Sequence, residues 1–283
     1  MTQQRLSRAF VSFVLVMGAQ ACALTAPPNA AGPRGNVAPY PVLLAEDIHR
    51  TEAATAAINH LTRSEVATVT APLQLITSTI KSLPANTSAN VYLPKVGANP
   101  LMNEEETREA LRRFIRDWQI PIGADPAKLS LVDRIDQPDG SKIARYEQRA
   151  FRYPIRGDYG QLEIRFAADR RVLNITSTCI PDADKIQTAL AAVGVKLKPE
   201  DAVTKLLTTD VAYSAAGANK QTFHATAANQ PQAQELVTFI TPAFPIDSGE
   251  VSLVFQIAWQ INLTNAPVKS VYVDAVTGDV VAP

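Results

Sequence analysis

The sequence predicts an α+β protein built as two helix-on-antiparallel-sheet modules in series, behind an export signal and a flexible tether. Three observations carry that prediction. Residues 103–118 hold one amphipathic stripe, alternating strand-like segments follow it, and the same order of helix then strands returns from 182 onward. With 283 residues, 46% of them apolar, the chain can bury a substantial core and fill two modest domains. Its 20 prolines outnumber its 12 glycines, which suits stiff connections between short elements. The 27 Lys and Arg balance 27 Asp and Glu, so no net field draws in nucleic acid or an acidic membrane surface.

Residues 1–21 have the layout of a signal peptide. Arg5 and Arg8 supply the positive region, and AFVSFVLVMGA (9–19) is an apolar run too short to span a bilayer as a helix. Small residues then offer two cleavage sites, Ala19-Gln20-Ala21 and Ala21-Cys22-Ala23. Cys22 is also a candidate lipidation site, because a cysteine placed so resembles the acylated cysteine of bacterial lipoproteins. Gln20 and Ala19 depart from that signal, which prefers a small residue and a Leu there. No later stretch is apolar enough to cross a membrane as a helix. The expectation is an exported protein: periplasmic, extracellular or envelope-anchored through Cys22.

The tether, 22–39, contains TAPPNAAGPRGN and has no periodic apolar face. In the region 40–99, LLAEDIHRTEAATAAINHL (43–61) reads as an Ala-rich helix. VATVTAPLQLITSTIKSL (66–83) reads as one or two strands broken at Pro72, and 83–100 as a Pro/Asn/Gly connection.

The first module, 100–181, opens on NEEETREALRRFIRDW. Asn103 and Glu106 have capping-box spacing, and Leu111, Phe114, Ile115 and Trp118 fall at i, i+3, i+4 and i+7. LSLVDRI (129–135) is a strand and QPDG a turn. LEIRF (162–166) sends Leu162, Ile164 and Phe166 inward, and VLNITSTCI (172–180) returns beside it. The second module, 182–283, offers two helices, DADKIQTALAAVG and PEDAVTKLL, then 212–234, which has no clear period and reads as loops or edge strands. QELVTFITPAF, VSLVFQIAWQINL and SVYVDAVTGDVVA follow as strands.

No catalytic constellation is legible. His49, His60 and His224 are the chain's three histidines, and none has a second histidine four residues away, as a zinc face on one helix requires. There is no G-x-S-x-G elbow, no phosphate loop and no dinucleotide fingerprint. Cys179 lacks a paired base and reads as a small half-buried residue at a strand end. Acid pairs such as Asp182/Asp184 and Glu200/Asp201 sit at helix starts, where they complement the dipole. The sequence therefore predicts a non-enzyme with no cofactor and no metal.

The stretch RYEQRAFRYPIRG (145–157) admits two readings: a basic-aromatic strip that grips a ligand, or a strand, a bend and a second strand. It resembles the motif R-[FY]-x-Q-x-x-x-G-[IL]-P-V-x-G in the propeptides of thermolysin-like and fungalysin-like secreted metalloproteases. Arg145, Tyr146, Gln148, Pro154 and Gly157 match; Ile155 replaces Val, Tyr153 takes the Ile/Leu place, and Arg152 stands where the family has Gly. The C-terminal portion is similar to a PepSY domain, with PEDAVTKLL as its helix and Tyr272-Val273-Asp274-Ala275 and Thr277-Gly278-Asp279 as its tail. The resemblance covers roughly 100–283 and implies a propeptide/cystatin-like fold and an architectural bend. It also implies a propeptide without its catalytic domain, since the chain stops at Pro283, about where that domain begins in the family.

Two functions of different class follow from this. In one, the protein binds a secreted metalloprotease in trans, as inhibitor or folding assistant, laying Val280, Val281, Ala282 and Pro283 in the cleft as an added strand or product-like peptide. In the other, the same folds form an envelope-located binding or structural module with no protease partner.

Overall fold

The computed structural model describes residues 39–62, 72–83, 91–98, 102–214, 220–243 and 251–282. The expected signal peptide, Cys22, the expected tether as far as 38 and Pro283 lie outside the described residues. The described residues belong to one compact unit, Val37–Pro283. They form an α+β fold of five α-helices with strands in separate sheets. No helix among them is long and apolar enough to cross a membrane.

The 103–118 pattern forms helix as its spacing dictates. Asn103 accepts from the Glu106 N–H and the Glu106 carboxylate accepts from the Asn103 N–H, closing a capping box on the helix Glu104–Asp117. Leu111, Phe114, Ile115 and Trp118 are each 3% exposed or less, and the Phe114 and Trp118 rings stack at 5.3 Å. They cover a four-stranded antiparallel sheet, Leu129–Asp136, Lys142–Gln148, Gln161–Phe166 and Val172–Ser177 in that spatial order. Leu162, Ile164 and Phe166 face the helix, while Arg145 and Glu163 pair across the wet face at 2.9 Å.

Within 40–99 the structure differs from the pattern. Val42–Ala45 is a strand and the helix begins only at Ile48, running to Thr62. Asp47 ends the extended stretch by accepting from the His49 and Arg50 N–H groups, and Leu44 alternates inward while Leu43 stays 60% exposed. The described part of 66–83 forms no ladder; Leu73 and Ile80 make a single bridge around a turn. Ile80 and Val91 instead accept from Ser177 and Val172 N–H groups, and Leu93 donates to Arg170, so these pieces close the outer edge of Val172–Ser177. The buried Thr79 hydroxyl donates to the Ser177 carbonyl, which is why a Thr-rich run stays out of a sheet.

The second sheet has the order Val280–Ala282, Ser270–Asp274, Ser252–Asn262, Gln232–Ala243, Ile155–Arg156. Helices Ala183–Ala191 and Pro199–Leu207 pack on one face through Ile186, Leu190, Ala202 and Leu206. The aperiodic 212–234 stretch turns out to hold most of a hairpin, Asp210–Ser214 with Lys220–His224, before the long strand starts at Gln232. Two elements cross over to this sheet. Val42–Ala45 pairs antiparallel with residues 252–255, and Ile155–Arg156 pairs parallel with Thr238–Phe239.

We number the strands β1 (Val42–Ala45), β2 (Leu129–Asp136), β3 (Lys142–Gln148), β4 (Ile155–Arg156), β5 (Gln161–Phe166) and β6 (Val172–Ser177). They continue as β7 (Asp210–Ser214), β8 (Lys220–His224), β9 (Gln232–Ala243), β10 (Ser252–Asn262), β11 (Ser270–Asp274) and β12 (Val280–Ala282). The helices are α1 (Ile48–Thr62), α2 (Glu104–Asp117), α3 (Gln119–Ile122), α4 (Ala183–Ala191) and α5 (Pro199–Leu207).

Candidate functional site

The 145–157 stretch is a strand, a bend and a short second strand, and each matched residue has an internal task. Tyr146 is 9% exposed beneath α2, and burial pushes its hydroxyl pKa up. The Gln148 amide grips one backbone residue at both ends: Nε2 donates to the Ile180 carbonyl at 2.9 Å and Oε1 accepts from the Ile180 N–H at 2.8 Å. The Pro154 carbonyl accepts from Thr238 N–H, which seats β4 beside β9. Gly157 has φ +101°, and a Cβ there would lie 2.8 Å from the Ile240 carbonyl oxygen, so glycine is required twice over. Arg152, in the family's Gly place, is not among the residues with positive φ; its guanidinium lies 5.3 Å from the Tyr153 ring centre.

Arg156 carries the bend onto the second sheet. On the face opposite α4 and α5, Val237, Phe239 and Ala258 form an apolar cluster that Tyr272 and Val281 extend, and among the described residues no helix contributes to it. Phe239 and Tyr272 stack at 4.4 Å across the small Ala258. Arg156 donates through Nη2 to Glu235 at 2.5 Å and through Nε to Gln260 at 2.9 Å. Register sets Arg156 beside Phe239 and Glu235 beside Gln260, so the guanidinium spans this face. Burial pushes the Tyr272 hydroxyl up, Arg156 opposes that and Glu235 adds to it. Val237, Phe239 and Ala258 are themselves buried, while Tyr272 and Val281 stay half-buried beside the polar side chains of Arg156, Glu235 and Gln260, so what this side of the sheet presents is an aromatic edge set among polar groups.

Of the expected contact residues, Val280–Ala282 are the edge strand β12, paired with β11, rather than a free tail. Val281 joins the helix-free cluster and Val280 packs on the α5 side. Asp274 and Gly278 shape the turn between β11 and β12. Gly278 has φ +84°. Asp274 is fully buried and its carboxylate accepts four hydrogen bonds: Oδ1 from Val276 and Thr277 N–H, Oδ2 from the Gln256 amide and the Tyr40 hydroxyl, at 2.7–3.0 Å. Burial first, then the hydrogen bond to Asp274, pushes the Tyr40 hydroxyl up. Sequence reasoning missed Tyr40, Gln256, Glu235 and Gln260. No local signal marks them, since Tyr40 and Asp274 are 234 positions apart.

The remaining candidates stay separate. His49, His60 and His224 are exposed; His49 and His60 lie on α1 about 16 Å apart along its axis. His224 pairs with Asp210 across the hairpin at 2.8 Å. Among the described residues, no three His, Cys, Asp or Glu side chains converge to hold a metal. Cys179 is fully rather than half buried, and burial pushes its thiol up to about 12. A cavity of about 530 Å³ opens between α3 and the start of α4. Four of its charged side chains pair with one another, Lys128 with Asp184 at 3.0 Å and Lys185 with Asp182 at 2.7 Å, and Asp125 accepts from the Ala127 N–H. No protein-family model and no curated protein matches this chain.

Proposed function

We propose that this chain is an exported, non-catalytic, propeptide-like binding protein made of two helix-backed modules, the first on an antiparallel sheet and the second on a sheet that β4 makes mixed. It engages a secreted metalloprotease in trans, as inhibitor or folding assistant. The observation that carries the reading is the helix-free face of the second sheet. There Val281 of the outermost strand joins Phe239 and Tyr272 inside a rim of Arg156, Glu235 and Gln260. With Tyr272 and Val281 half-buried at its margin and an edge strand at its end, this side suits a partner that adds a strand and packs on that margin. Because β12 is already paired on its inner side, the added-strand mode is favoured over a product-like peptide.

The test is inhibition of a co-secreted thermolysin-like protease by the purified chain. Submicromolar inhibition is expected, lost on deleting 279–283 and weakened at least tenfold by Val281→Asp, a change at the half-buried margin of that cluster. Absence of any effect on such proteases, with membrane association that disappears in Cys22→Ser, overturns it in favour of an anchored envelope module.

A further inference from the structure

The edge of β10 opposite β9 is shared by two strands. β11 pairs with residues 258–262 only, and residues 252–255 are paired by β1. Between them the Ile257 N–H finds no strand partner and donates to the Tyr40 hydroxyl at 3.1 Å. The same hydroxyl donates to Asp274 Oδ2 at 2.8 Å. One phenol thus closes the gap where one strand stops and the next begins.

We infer that the β10 edge over Ser252–Ile257 is a strand-acceptor site for an extended peptide of the pattern Tyr-x-apolar-x-apolar, which residues 40–45 occupy as an exchangeable cis ligand. Alternation puts Tyr40, Val42 and Leu44 on one side of the segment, all packed in the cluster beneath α4. Hold on the segment is slight: β1 has four residues, Leu44 alone among them is buried, at 8% exposure, and Leu43 is 60% exposed. The acceptor outlasts the ligand. When Tyr40 leaves, Asp274 keeps Gln256, Val276 and Thr277 as donors, so its carboxylate stays aimed at the vacated position. The neighbour in sequence also stays, because α1 is fixed independently by Ile58 in the first core and by Thr51 on Ser78. Phenylalanine would fill the ring site yet leave the Ile257 N–H and Asp274 short of a partner, so recognition favours tyrosine. The inference is independent of the metalloprotease reading, since it concerns a different edge of the sheet.

The probe is a fluorescein-labelled peptide of residues 38–47 added to the full chain, read by anisotropy. A tethered strand competes at high effective concentration, so wild type should bind weakly. The double variant Tyr40→Ala/Leu44→Asp should bind at least tenfold more tightly, and a peptide with Tyr40→Phe should lose roughly tenfold of that gain. Hydrogen exchange on the wild-type chain tests the same idea without a variant: amides of 42–45 should exchange at least tenfold faster than those of 258–261. Equal binding to both proteins, binding to neither, or equal protection of the two stretches overturns the proposal.

Discussion

Replacing Gln148 by Leu tests whether the bend is fastened as the geometry requires. The wild-type amide satisfies both the N–H and the C=O of Ile180, a residue with no exposure. Leucine leaves both groups buried and unpaired, each worth about 1–3 kcal/mol. The apolar side chain returns about 1 kcal/mol by burial, so the net loss is about 3 kcal/mol. For a folded unit of this size that is a fall in Tm of roughly 6–12 °C, measured by calorimetry or circular dichroism. Gln148→Glu sharpens the test. It keeps an acceptor for the N–H but turns a carboxylate towards the Ile180 carbonyl, which raises its folded-state pKa above the unfolded value. Its deficit is therefore smallest in acid and grows as pH rises above about 4. A Leu variant that melts within about 2 °C of wild type, or a Glu variant whose deficit ignores pH, refutes the clamp.

Gly157→Ala should lower stability by about 1–3 kcal/mol, because the left-handed backbone and the nearby Ile240 oxygen both oppose a Cβ. Gly140→Ala, with φ +78° and nothing near, should show the smaller backbone effect alone in the same urea titration. The hydrogen bonds from Arg112 and then Arg113 hold the Glu109 carboxyl down at about 2. A depressed folded pKa contributes stability above the unfolded value, lost as pH falls towards 2; Glu109→Gln should flatten the slope of Tm between pH 2 and 5, and a slope unchanged by the substitution rules this out. The Cys179 thiol, pushed up by burial to about 12, should resist a disulfide reagent at pH 8 in a Cys22→Ser background. It should react fully once urea unfolds the chain, and rapid labelling of the native protein contradicts the burial.

What could be read from the sequence was what local chemistry decides. The α2 capping box and stripe, the inward Leu162, Ile164 and Phe166, and the positive φ at Gly278 each depend on residues within a few positions of one another. Pairings decided by distant partners were not legible. An Ala-rich run hid β1 because nothing in VLLA announces β10 as its partner. Thr77 and Thr79 looked like strand residues, yet their hydroxyls bond each other inside the fold. The helix-free face was missed for the same reason: Arg156, Glu235, Gln260 and Tyr272 come from four strands that only the sheet order brings together.

That sheet order gives residues 145–157 an architectural task. Their four arginines are engaged within the protein: Arg145 with Glu163, Arg149 with Glu147, Arg156 with Glu235, and Arg152 against Tyr153. Arg145 and Arg156 pair across to neighbouring strands, while Arg149 and Arg152 are engaged by residues beside them in the chain. Meanwhile Gln148 ties the end of β3 to residue 180, β4 adds to β9, and Gly157 lets the chain pass against Ile240. Within about ten residues the bend leaves one sheet and fastens itself to the other. A device of that kind is needed wherever these two sheets must act as one body, whether or not a catalytic domain follows. The joint is thus the part of residues 145–157 that the geometry accounts for, and the proposed contact residues lie on the sheet that it holds steady.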